Sequence, residues 1–172
     1  MQRRRIALLL TTVAALTVIA LGGAIGAQAK QDTLGTVHSV TARFNSIQQA
    51  TKAGYVPFYI CAEQPGVGTM GQHLLNGQLL DDPAIDPLRP EVLVYQPTRA
   101  GGFRLVAVEY VTFTPGLTVL GQPMNTVPLG NRYGVPAEFY AKHAWIWQGN
   151  PLGLFADWNP TVTCLGEGDA GG

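Results

Sequence analysis

The longest apolar stretch of the chain runs from Phe103 to Phe113 and predicts a central β-strand. It is rich in Val, Phe and Tyr, which favour strands, and glycine or proline pairs bound it at both ends. A carboxylate buried on such a strand needs a cation, a metal ion, hydrogen-bond donors or a proton. Glu109 is therefore the first candidate functional residue. Strict alternation would surround it with apolar side chains of the same face, namely Phe103, Leu105, Ala107, Val111 and Phe113.

A helical pattern precedes this strand. Ser39 is a suitable N-cap, and Gly54 is suited to end a helix in the left-handed conformation. The pattern between them predicts one amphipathic helix, because apolar or small residues recur there at helical spacing. The predicted core-facing stripe consists of Val40, Phe44, Ile47 and Thr51.

Shorter strand-like segments lie on both sides of the central strand. Residues 91–95 form one of them, and the short link 96–102 predicts an antiparallel hairpin with the central strand. Residues 121–136 are rich in Gly and Pro, which predicts a long loop. An extended segment over 137–148 would put His143, Trp145 and Trp147 on one face. We predict an α+β fold, with one N-terminal helix packed on an antiparallel sheet that is open or barrel-like.

The first residues have the features of an export signal. Three arginines precede an apolar run, and a small-x-small site ends at Ala29. We predict a signal peptide over 1–29 with cleavage after Ala29, and therefore secretion. A linker over 30–37, a single domain over 38–166 and a flexible tail over 167–172 would follow. The alternative is an uncleaved segment that anchors the protein, since the apolar run is long enough to span a bilayer.

The charge balance limits the partners. The chain has 11 basic and 11 acidic residues, and removal of the three N-terminal arginines would leave a mildly acidic domain. No basic stripe remains to bind phosphates, so a nucleic acid partner is not expected. We expect a small molecule or an envelope protein as the partner, and membrane contact only through an uncleaved N-terminal segment.

The two cysteines, Cys61 and Cys164, lie near opposite ends of the predicted domain. In an oxidising compartment we expect them to form one disulfide. A loop of this size stabilises the fold by up to about 4–5 kcal/mol in the chain-entropy model.

Two histidines complete the candidate chemistry. His73 follows a glycine-rich loop and His143 lies beside tryptophans, so with Glu109 they offer two imidazoles and a carboxylate. This donor set suits zinc or iron. The competing interpretation is a Glu109–histidine hydrogen bond, or a pair with Arg104 or Arg132, that only satisfies a buried charge.

Two functions remain open from these residues. The first is a pocket that binds a metal or small ligand, with Tyr110 as a proton donor if the site is catalytic. The second is a non-enzymatic exported binding module without a metal. The ligand-binding residues expected around His73, Glu109 and His143 are Tyr110, Trp145, Trp147 and Asn76.

Several catalytic classes are disfavoured. The cupin pattern requires a His-x-His pair, and His73 has no such partner. Ser39 and Ser46 are the only serines, and neither stands in a nucleophile elbow. Glycosidase chemistry would need Glu109 opposite Glu138 or Asp157, for which the spacing gives no support.

Five segments carry a resemblance to a family of uncharacterised exported bacterial proteins. The resemblance covers nearly the whole predicted domain and implies a single domain without implying an activity. The order of a histidine, two strand motifs and a second histidine is also faintly similar to the oil body-associated proteins, although the paired histidines of that group are missing. The five segments are Pro65–His73 (PGVGTMGQH), Pro90–Tyr95 (PEVLVY), Leu105–Tyr110 (LVAVEY), His143–Trp147 (HAWIW) and Asn150–Pro160 (NPLGLFADWNP).

Overall fold

A computed structural model describes residues 33–164. The predicted signal peptide, its cleavage after Ala29, the first part of the predicted linker and the predicted tail lie outside these residues. Within them, an antiparallel sheet dominates, and helices account for fewer residues than strands. The strands are β1 (Val56–Gln64), β2 (Gly68–Leu75), β3 (Val92–Pro97), β4 (Phe103–Thr112), β5 (Thr118–Val119), β6 (Gln122–Pro123), β7 (Asn125–Val127) and β8 (Phe139–Ala144). The helices are α1, whose described part is 33–41, a 3-10 turn (Ala42–Asn45), α2 (Ile47–Lys52) and α3 (Gly77–Leu80).

The N-terminal helical segment differs from the single predicted helix. Ser46 adopts an extended conformation (φ −90°, ψ 113°) and separates the 3-10 turn from α2. Ser39 lies inside α1, where its hydroxyl donates to the carbonyl of Gly35 at 2.9 Å, so the predicted N-cap role is wrong. The predicted linker is also wrong from residue 33 onward, because those residues are helical and Val37 is fully buried in the core.

The end of α2 matches its prediction. Gly54 has φ +95° and its amide donates to the carbonyl of Thr51. The amide of Tyr55 reaches back to the carbonyl of Ala50, which completes the left-handed helix end that glycine favours. Side chains from this segment share a buried cluster with the sheet, and the hydroxyl of Tyr95 donates to the carbonyl of Phe44 at 2.6 Å.

The main sheet has the order β1-β2-β3-β4-β8-β7, and all of its pairs are antiparallel. The predicted hairpin of β3 and β4 is confirmed. Closure into a barrel is wrong, because β1 and β7 do not pair with each other within the described chain. The physical reason lies after β7, where the Gly/Pro-rich residues 128–138 form a loop instead of a strand that could reach β1.

An irregularity in β4 changes which residues share a face with Glu109. Val94 pairs with Ala107, but the next pair is Tyr95 with Leu105, so Val106 is an extra residue in β4. Leu105 consequently packs in the same cluster as Tyr95 rather than with Ala107. The expectation of strict alternation from Phe103 to Phe113 is therefore wrong on the N-terminal side of the bulge.

One face of the sheet packs against the N-terminal helical segment. The chain after β8 covers the opposite face, the second face of the sheet. Trp145 and Val162 join the buried cluster of Val92 and Val94 there. The backbone of Asn159 exchanges two hydrogen bonds with Thr69 on β2. Among the described residues, no helix is long and apolar enough to cross a membrane.

Candidate metal centre

Three strands bring the predicted donor residues together on the second face of the sheet. Glu109 on β4 and His143 on β8 are directly paired across the strands. His73 lies on β2 opposite Val94, so β3 separates it from β4. Its imidazole reaches Glu109 across the valine side chains of β3.

The contacts within the cluster are close. Nε2 of His73 is 3.5 Å from Oε2 of Glu109, and Nδ1 of His143 is 3.6 Å from Oε1. The candidate ligand atoms of the three residues all lie within 4.8 Å of one another. A buried group of this composition and spacing could hold a metal ion.

Burial sets the protonation of the cluster in the absence of a cation. It raises the pKa of Glu109 to about 8, and the negative charges of Asp157 and Glu91 add to the effect. Burial lowers the pKa of His73 to about 4 and that of His143 well below its usual value. At neutral pH the metal-free cluster therefore consists of two neutral imidazoles and a carboxylic acid, and its contacts are not ion pairs.

The outer nitrogens of both imidazoles are unsatisfied. Nδ1 of His73 and Nε2 of His143 are buried and have no hydrogen-bond partner among the described residues. The backbone of Gly71 lies close to His73 and partly opposes the lowering of its pKa. Each unsatisfied nitrogen costs about 1–3 kcal/mol. Packing holds the His143 ring instead, because Trp145 stacks on it with ring centroids 5.7 Å apart.

Neither arginine considered for Glu109 pairs with it. Arg104 donates to the side chain of Gln96 at 3.1 Å, and Arg132 lies over the ring of Trp158. Among the described residues, the close contacts of the Glu109 carboxyl group with ionisable nitrogens are those with the two histidines. The interpretation of an arginine that neutralises a buried carboxylate is wrong for this site.

A second acidic group, Asp157, lies at the edge of the cluster. Oδ1 of Asp157 is 4.0 Å from Nδ1 of His143, and its side chain is 42% exposed. Asn125 donates to this carboxylate at 2.8 Å and accepts from Nζ of Lys142 at 2.5 Å. The chain Lys142–Asn125–Asp157 therefore fixes the carboxylate beside His143. Sequence spacing gave no signal for it, since the three residues lie on separate segments.

An apolar cavity of about 410 Å³ opens above the cluster. Tyr133 forms part of its wall and contacts Met70, with its hydroxyl 3.4 Å from Sδ. Burial raises the pKa of Tyr133 to about 12, so its phenol stays protonated. Asn131 organises the loop that carries Tyr133, because its side chain bonds to backbone groups of Pro128, Tyr133, Val135 and Ala137.

Three of the predicted ligand-binding residues are engaged away from this cavity. Tyr110 donates to the carbonyl of Pro87 at 2.8 Å, on the opposite face. Trp147 follows the end of β8, donates to Thr41 and stacks on His38, so it does not share a face with His143. Asn76 accepts from the amide of Gln78 and donates to Ala53. Only Trp145 reaches the cluster, through its contact with His143.

The predicted disulfide between Cys61 and Cys164 is confirmed, with the Cα atoms 5.4 Å apart. It fastens β1, an edge strand, to the segment that covers the second face. A disulfide is consistent with an extracytoplasmic location.

Comparison of the chain with protein-family models, with curated proteins and with solved structures found no match. The resemblances noted from sequence motifs stay predictions.

Proposed function

We propose that the protein is an exported metal-binding protein, in which His73, Glu109 and His143 hold zinc or iron(II). The observation that supports this most is the convergence of three ligand atoms within 4.8 Å in a buried site. Two neutral nitrogens and one carboxylate are a donor set that both metals accept.

The buried carboxylic acid supports a metal over a purely structural role. Glu109 is 8% exposed, and no arginine or lysine forms an ion pair with it among the described residues. A divalent ion would compensate the burial of the carboxylate, which otherwise has to hold a proton at neutral pH. The imidazoles need no deprotonation, because their lowered pKa values already leave a lone pair free.

Three protein ligands would leave an open coordination position toward the cavity, as in catalytic rather than structural zinc sites. A metal there would polarise a bound water or substrate oxygen. Asp157 would accept a proton beside this position, and Asn125 would hold its carboxylate in place. Tyr133, rather than Tyr110, would offer a phenol proton on the cavity side.

The test is elemental analysis of protein purified without chelator or affinity histidines from a host that forms disulfides. We expect near-stoichiometric metal in the wild type and its loss in His73→Ala, Glu109→Gln and His143→Ala. His38→Ala is the matched control, because His38 is exposed and lies outside the cluster. Circular dichroism checks that each variant folds.

Two results would refute the metal site. One is a folded wild type that takes up neither zinc nor iron(II) after anaerobic reconstitution. The other is a metal content that the three variants retain. The protein would then be a binding module without metal, and Glu109 a structural carboxylic acid.

A further inference from the structure

We propose that the cavity binds a molecule with an apolar chain and a single polar donor group, and that this group lies at His73, Glu109 and His143. The proposal rests on the metal function proposed above and names the ligand class of the same site.

The walls of the cavity are apolar. The sheet contributes its floor, and the loop after β7 contributes a side wall that includes Tyr133. A volume of about 410 Å³ falls within the range of small-molecule sites. The aliphatic and aromatic side chains that matter most are Leu75, Val92, Val111, Val135, Phe139 and Ala141.

The charged and histidine side chains of the lining lie together at one end. Asp157 contacts His143, and Asn125 contacts Asp157, so both adjoin the cluster around Glu109. A sugar or peptide would lose its hydrogen bonds to water along the rest of the wall without replacement, which is unfavourable. A ligand with a polar group at one end alone matches this distribution.

The charge of the lining excludes multiply anionic ligands. No lysine or arginine is among the lining residues, whereas Glu109 and Asp157 are acidic. Phosphates and polycarboxylates would find no cationic side chain in the lining to pair with their additional charges. A neutral donor, or one that binds the metal through a single ionised group, fits the site.

The mouth of the cavity extends its apolar surface outward. Phe58 and Phe113 line the cavity and are also exposed by 44% and 48%. An alkyl chain longer than the cavity would continue across these two rings. This favours a flexible chain over a compact ring system as the body of the ligand.

The test uses straight-chain hydroxamic acids, from acetohydroxamic to dodecanohydroxamic acid, titrated calorimetrically into zinc-loaded protein. Hydroxamates bind zinc through one group, so the series varies only the apolar part. We expect the affinity to rise roughly fourfold for each added methylene until the cavity is filled. An affinity independent of chain length, in protein that holds zinc, would overturn the ligand class and leave the metal function standing.

A pair of loop variants locates the binding. Val135→Trp narrows the cavity and should weaken decanohydroxamate at least tenfold while sparing acetohydroxamate. Leu129→Trp is the control, because Leu129 lies on the same loop, is 71% exposed and does not line the cavity. Equal effects of both variants would contradict binding in this cavity.

A separate experiment tests the ligand class if the metal function is wrong. If the protein binds no zinc, the 1-alkanols from butanol to decanol are titrated into it instead. A chain-length dependence that Val135→Trp abolishes would keep the apolar ligand class. The absence of this dependence would overturn the apolar ligand class as well.

Discussion

Glu109 and His143 are directly paired across β4 and β8, with Oε1 of the carboxyl group 3.6 Å from Nδ1 of the ring. Paired positions in an antiparallel sheet project to the same face, so the backbone register alone brings these two groups together. A slip of one residue would send one of them to the opposite face. The remaining donor, His73, depends on a longer reach across β3.

The first prediction concerns the stability of metal-free protein between pH 6.5 and 8. The pKa of Glu109 is raised to about 8, so the folded state keeps a proton there that the unfolded state has already lost. Stability is then highest at low pH within this window and falls as the pH rises. Glu91, whose pKa burial raises to about 7, adds to the effect. We expect a loss of about 2 kcal/mol, measured by urea unfolding with chelator present.

Two variants test whether Glu109 causes this decrease of stability with pH. Glu109→Gln should flatten most of it, whereas Glu138→Gln should leave it unchanged because Glu138 is exposed. Below pH 6.5 the histidines oppose Glu109, since their lowered pKa values make the unfolded state bind more protons there. A wild-type stability that increases from pH 6.5 to 8 would contradict the protonated state of Glu109.

The second prediction concerns the pH dependence of zinc affinity. Binding must displace one proton from Glu109 and none from the imidazoles, because burial lowers the pKa of both histidines and leaves them neutral at neutral pH. The dissociation constant should therefore fall about tenfold per pH unit between 6 and 7.5, and level off above the pKa of Glu109. Competition with a chromophoric chelator measures it. A slope of two or more protons would mean that the histidines are charged in the metal-free protein.

The third prediction concerns Asn125. Its side-chain amide donates to Asp157 at 2.8 Å and so holds this carboxylate beside His143. We expect Asn125→Ala to weaken zinc binding about tenfold, the lower end of the range for outer groups that orient a metal site. Asn45→Ala is the control, since Asn45 is exposed and its side chain donates to the nearby carbonyl of Ala42. An unchanged affinity in Asn125→Ala would leave Asp157 without a role in the metal site.

The fourth prediction concerns Gly71, two residues before His73. It has φ +105°, and a Cβ there would lie 2.7 Å from Cγ1 of Val94 and 2.9 Å from the carbonyl oxygen of Tyr95. Gly71→Ala should destabilise the fold by about 2–3 kcal/mol and lower zinc affinity, because it separates β2 from β3. In contrast, Gly35→Ala should stabilise by about 0.5–1 kcal/mol, since Gly35 is helical and has open space around it. Thermal unfolding followed by circular dichroism measures the stability of both variants. A Gly71→Ala variant as stable as the wild type would contradict the close approach of Gly71 to Val94 and Tyr95.

Local sequence signals predicted the parts of this structure that depend on local chemistry. The hairpin of β3 and β4 follows from two apolar runs with a short link, and the end of α2 follows from Gly54. The convergence of His73, Glu109 and His143 could be predicted because a buried carboxylate needs a partner, and the chain has only three histidines to offer.

The remaining features depend on contacts between distant segments. The bulge at Val106 cannot be recognised in a continuous apolar segment of the sequence. It places Phe103 and Leu105 on the face opposite to the one that strict alternation predicts. Trp147 leaves the face of His143 because β8 ends at Ala144 and the ring packs on His38. Asp157 is held beside His143 by a hydrogen bond from Asn125, a partner 32 positions away along the chain.

The Cys61–Cys164 bond has a consequence for a chain that has been cut. All three candidate ligands, and the loop that carries Tyr133, lie between these two cysteines. A protease that severs this loop leaves His73 and Glu109 on one piece and His143 on the other. Neither piece can diffuse away while the sulfur bridge is intact. A nicked molecule is thus a covalent two-chain protein whose halves stay at high effective concentration, and its site can survive damage that would disperse an unbridged fold.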